Sequence, residues 1–179
     1  MKNILLIIAT ATSYMTFSQV IIGNNTGTAA NKTSVLLEFA AGQNKGLILP
    51  YIRTVPTTGL SEGTIILDAS TATAARVRYY NGSWVDLNGG NTADISTALA
   101  IQPSGVTEDN NAKIIIGANT TTADGVLVLE STTQAMILPI VANTNDIPDP
   151  APGMMVYINK SGAKRLAVFN GGGWTYWKP

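Results

Sequence analysis

The chain has 179 residues, of which 45% are hydrophobic and 12% charged, and its 11 basic residues balance its 11 acidic ones. It is too apolar and too near neutrality for a disordered chain, and without basic runs it is not built to follow nucleic acid or an anionic membrane surface. It contains no Cys and no His, which excludes a disulfide framework, a thiolate zinc site and the commonest general base and metal ligand.

The first segment reads as an address. Lys2 is followed by an apolar run from Ile4 to Ala9, and Thr16-Phe17-Ser18 precede Gln19. This order of charge, apolar run and small or polar residues is that of a secretory signal peptide, and the run is too short to span a bilayer. Residues 1–18 are therefore expected to be removed and the protein secreted. N-terminal sequencing of the exported protein should begin at Gln19; retention of Met1 to Ser18 would contradict this reading.

The rest is written twice. "VIIGNNTG" from Val20 returns as "IIIGANTT" from Ile114, and "VLLEFAAGQNKGLILPYI" from Val35 as "VLVLESTTQAMILPIV" from Val126. "EGTIILDAST" from Glu62 returns as "PGMMVYINKS" from Pro152, and "RVRYYNGSW" from Arg76 as "RLAVFNGGGW" from Arg165. Four matches kept in order, with small drifts in spacing, indicate duplication of one module with changes in loop length. The expected organisation is a module over 19–87, a joining segment over 88–112 and a second module over 113–179. The joining segment opens on Gly89-Gly90 and contains Pro103-Ser104-Gly105, which are loop signals. Ile95 and Leu99 lie four apart, a spacing compatible with a short helix.

Within each copy, runs of four to six β-branched or aromatic residues alternate with Gly, Asn, Thr and Pro, so the fold class expected is all-β. Val77 and Tyr79 correspond to Leu166 and Val168, an apolar face expected to be core in both copies, whereas Arg76 and Arg78 correspond to Arg165 and Ala167 on the face expected to meet solvent. Asn81-Gly82 predicts a type I′ hairpin turn with positive φ at both central residues. Asn170 to Gly173 predicts a longer turn at the same place. The Trp after each turn is expected opposite the preceding aromatic, as a cross-strand pair. Only the second copy continues into Thr175-Tyr176-Trp177. Trp84, Trp174, Tyr176 and Trp177 are accordingly the candidate contacts for a ligand or partner, by stacking on a sugar ring or by docking a second protein. Trp177, which has no counterpart in the first copy, is expected to be dispensable for packing.

Modules of this size carry marginal cores, and "TIILD" and "GMMVYIN" are apolar on both faces. A strand of that kind needs cover on both sides. A second and third copy of the chain, wrapped about one axis, are expected to supply it.

These strands carry a resemblance. Leu37-Glu38, Leu49-Pro50, Gly63 and Asn81-Gly82-Ser83-Trp84, with Leu129-Glu130, Leu138-Pro139, Gly153, Asn170-Gly171 and Trp174, resemble a repeat of exported Bacteroidota proteins. The same repeat is similar to segments of phage tail fibres and trimeric adhesins. The resemblance implies a homotrimeric, intertwined β structure at a bacterial cell surface, with a structural or adhesive role. Its motifs are structural and imply no catalytic residue, cofactor or metal.

The residues themselves point the same way. Glu38 and Glu130 occupy one position in two copies, so they are expected to serve structure rather than to form a catalytic pair. "TEDNN", Thr107 to Asn111, lacks the spacing of a calcium loop. A monomeric carbohydrate-binding module using Trp84, Trp174 and Trp177 is the alternative to the surface fibre, and a small hydrolase the least favoured reading.

Overall fold

The computed structural model describes residues 19–105, 107, 109 and 112–177. Residues 1–18, expected as a signal peptide, and three of the five residues of "TEDNN" lie outside the described residues. The fold is β-rich, and the single α-helix among the described residues, α1, is the short Ser96–Ala100. No helix among the described residues is long and apolar enough to cross a membrane.

One sheet runs β4 (Tyr51–Ile52), β5 (Ile65–Asp68), β6 (Arg76–Tyr80), β7 (Trp84–Asp86). A second runs β11 (Ile140–Val141), β12 (Met154–Ile158), β13 (Arg165–Phe169), β14 (Trp174–Trp177). They are laid out alike: parallel first pair, then two antiparallel pairs. The registers coincide residue by residue with the sequence matches. Tyr51 faces Leu67 as Ile140 faces Tyr157, Ile65 faces Tyr79 as Met155 faces Val168, and Tyr80 faces Trp84 as Phe169 faces Trp174. Register is set by the buried set of side chains, because a one-residue slip would turn that set to solvent.

The strands before these sheets pair in parallel: β1 (Val20–Ile22) with β2 (Val35–Phe39), and β8 (Ile114–Ile116) with β9 (Leu127–Leu129). Here the two copies differ. Ile22 faces Phe39, while Ile116 faces Leu129, the counterpart of Leu37. The loop between strands is two residues shorter in the second copy, and a slip of two keeps every side chain on its face. In each pair the Gly ending the first strand has positive φ, 105° at Gly23 and 100° at Gly117. At Gly117 a Cβ would lie 2.2 Å from the Glu130 carbonyl oxygen, so only glycine fits.

The halves interleave. β10 (Ala135–Met136) adds to β2 of the first half, and β3 (Leu47–Ile48) adds to β12 of the second. The joining segment is packed as well. Ala93 bridges Ala75 through two backbone hydrogen bonds of 2.9 and 3.0 Å, and Ala93, Ile95 and Leu99 are buried. The Ile95–Leu99 spacing thus marks one apolar side of a real helix, whose residues lie in a cluster with Leu49, Leu67, Val77, Met155 and Val168.

β12 explains its own composition. Met155 faces this first cluster, while Met154, Val156 and Ile158 join Val141, Ile147 and Ala167 in a second cluster on the opposite side. The strand apolar on both faces is therefore covered within one chain, by the joining helix and the first sheet on one side and by 141–151 on the other. Doubly apolar strands do not by themselves require a second copy here. Ala167, expected on the solvent face, is instead fully buried in this second cluster, because 141–151 covers that face; the matching residue of the first sheet, Arg78, pairs with Asp68 at 3.1 Å on a face that stays partly open. The corresponding face is thus polar and partly open in the first sheet and buried in the second.

Candidate interaction surface

Both hairpins carry the aromatic pair their sequences imply. Tyr80 and Trp84 meet edge to face with centroids 5.4 Å apart, and Phe169 and Trp174 meet tilted at 5.2 Å. The first turn is not type I′. It holds three residues, Asn81 to Ser83, and only Gly82 (φ 68°) is left-handed; the Asn81 amide donates to the Ser83 carbonyl at 3.0 Å. The second holds four, and its Asn170 side chain accepts from the amides of Gly172 and Gly173, both at 3.0 Å.

Trp84 is half-buried, and its indole donates to the Pro56 carbonyl at 3.2 Å. Trp84→Ala is expected to cost less than the roughly 3–5 kcal/mol of a fully buried aromatic, but more than the about 0.5–1.5 kcal/mol of the ring pair alone. Chemical denaturation reads this directly, and an unchanged midpoint would contradict the staple role.

The candidate contacts do not assemble into one platform. Along β14, Trp174 and Tyr176 share the face of the second cluster, while Thr175 and Trp177 share the other. Tyr176 is held by its hydroxyl, 3.0 Å from Thr144 Oγ1, and its ring lies 4.5 Å beneath the Arg165 guanidinium. Trp84 stands on the other sheet. Trp177 is exposed, yet its indole donates to the Leu87 carbonyl at 2.8 Å. Its expected dispensability does not hold in this geometry, because that bond ties the last strand to the end of β7. Trp177→Ala should lower stability by about 0.5–1.5 kcal/mol, the net worth of such a bond, as measured by thermal unfolding.

That bond belongs to a seam the sequence did not reveal. Asn88 is fully buried; its Oδ1 accepts from the Val77 main-chain amide at 2.6 Å and its Nδ2 donates to Thr175 Oγ1 at 3.2 Å. Asn170, also buried, donates to the Asn91 carbonyl at 3.3 Å. Gly171 closes the seam: a Cβ there would lie 2.5 Å from Ile95 Cγ2. Asn-Gly signals a turn equally well in an exposed loop, so only three-dimensional packing distinguishes this buried use.

The duplicated glutamates each hold a loop. Glu38 is buried and accepts from the amides of Thr28 and Ala29 at 2.8 and 2.9 Å, from Gln19 Nε2 at 2.5 Å and from the Lys32 ammonium. Burial pushes its pKa up, but the hydrogen bonds from Ala29, Lys32 and Thr28 and the Lys32 charge outweigh burial and hold the carboxyl below its ordinary value. Glu130 meets the Thr121 hydroxyl in the corresponding loop. Among the described residues, no group of three or more His, Cys, Asp or Glu side chains gathers where it could hold a metal ion.

Residues 115–179 match a family described as a phage tail like trimerisation region. The match begins inside β8 and takes in β11 to β14 of the second sheet but not β3. No curated protein and no solved structure matches the chain at a significant level.

Proposed function

We propose that this chain is a non-catalytic structural or adhesive protein of tail-fibre type, exported to a bacterial surface and assembled as a homotrimer of two tandem β modules. The observation that carries the reading is the similarity of 115–179 to a phage tail like trimerisation region. The matched second sheet has the same layout and register as the first, which supports descent of both from one module. Exposed Tyr176 and Trp177 leave room for contact with a surface glycan or another cell-surface protein beside the self-association.

If the assembled state is the native one, unfolding couples to dissociation and the melting temperature rises with protein concentration. A melting temperature independent of concentration over a hundredfold range would count against the trimer. Titration with oligosaccharides separates the alternative of a monomeric carbohydrate-binding module. That alternative requires binding heat that is lost in Trp177→Ala, and the fibre reading does not.

A further inference from the structure

The two parallel strand pairs are not equally complete. In the first half β2 has a neighbour on each side: β1, and β10 from "AMILP", whose Ile137 amide donates to the Leu37 carbonyl at 2.7 Å. In the second half β9 pairs only with β8 among the described residues. A two-stranded sheet is marginal in water, and parallel pairs are ordinarily covered.

The missing neighbour leaves a defined edge. The Val126 carbonyl and the Glu130 amide are bonded to β8, so by alternation Leu127 and Leu129 turn their main chain to the free side. Apolar side chains surround it: Val126 is 64% exposed, Ile114 63% and Leu127 42%. An open, apolar edge is a template for another strand.

The first half shows what kind of strand fits. β10 fills β2, and its counterpart in the repeat is β3, from "GLILP". Among the described residues β3 is bonded on one side only, to β12. The Leu49 amide donates to the Gly153 carbonyl on that side, so Ile48 turns its main chain outward, and its side chain is 52% exposed. A three-fold ring needs two unlike surfaces on each protomer. The edges of β9 and β3 are such a pair.

We propose that in the assembled protein the free edge of β9 in one copy takes the free edge of β3 from the next copy, so that each neighbour supplies in trans what β10 supplies to β2 within the chain. This rests on the trimeric reading above and specifies its interface.

Three variants of the full mature chain test it: the pair Val126→Lys and Leu127→Lys on one edge, Ile48→Lys on the other, and Ile101→Lys, an exposed apolar residue on neither, as control. Light scattering should give three chain masses for the unaltered protein and the control, and one chain mass for the two edge variants with β-type circular dichroism retained. Three chain masses in either edge variant would overturn the pairing and leave the trimer standing. One chain mass for the unaltered protein would overturn both. Should an edge variant fail to fold, hydrogen exchange on the unaltered protein decides. Slow exchange at the amides of Leu127, Leu129 and Ile48 in the assembled state supports the pairing, and fast exchange there overturns it.

Discussion

Leu67→Ala is expected to destabilise the protein by about 2–5 kcal/mol, the range for removing a fully buried leucine where the surroundings relax only in part. Leu67 is wholly inaccessible, lies between Tyr51 and Val77 in its sheet, and clusters with Met155 and Val168 of the second half and with Ile95 and Leu99 of the joining segment. Its Cβ is close enough to Gly153 that a side chain there would come within 3.2 Å. The cavity therefore opens at the contact between the halves. The loss should appear as one shifted transition in urea, because both halves share this cluster. A second transition that stays in place would mean that the halves fold separately and that the shared cluster is not what joins them.

Glu38→Ala should cost nearly as much by a different route. It removes the acceptor of two main-chain amides and the partner of Lys32 at once. Each donor left unsatisfied costs about 1–3 kcal/mol when buried, and the part-exposed loop places this case toward the lower end. The isosteric Glu38→Gln keeps one acceptor and should lose less. The pH dependence follows from the lowered pKa in the fold. A carboxylate depressed on folding contributes stability that is present above its unfolded pKa and is lost as pH falls through the folded value. The wild-type protein should therefore lose its advantage over Glu38→Gln on acidification below the ordinary glutamate range. Thermal unfolding of both proteins from pH 7 to pH 3 checks this, and a gap that widens toward acid would contradict the cradle.

Much of this was legible in the chain because it is local. Alternation in "RVRYY" and "RLAVF" places Val77 and Val168 in the core, and both are fully buried. The aromatic on each side of Asn-Gly becomes a ring pair in both hairpins. Contacts of long sequence separation were not legible. Nothing in "AMILP" says that it crosses to β2, or in "GLILP" that it crosses to β12, since two-residue strands carry no pattern. Asn-Gly does not fix the type of the first turn, because it suits several loop lengths and length is set by where the flanking strands stop pairing. β12, apolar on both faces, needs cover on both sides. The cover comes first from within the chain, from a segment whose Gly and Pro read as a joint while its Ile95 and Leu99 act as core.

The proposed homotrimer joins β9 in the second half of one chain to β3 in the first half of the next. Light scattering of the purified protein from Gln19 onward, at micromolar concentration and without ligand, tests it most directly. A single species of three chain masses that persists on dilution is expected. A cooperatively folding species of one chain mass would contradict it.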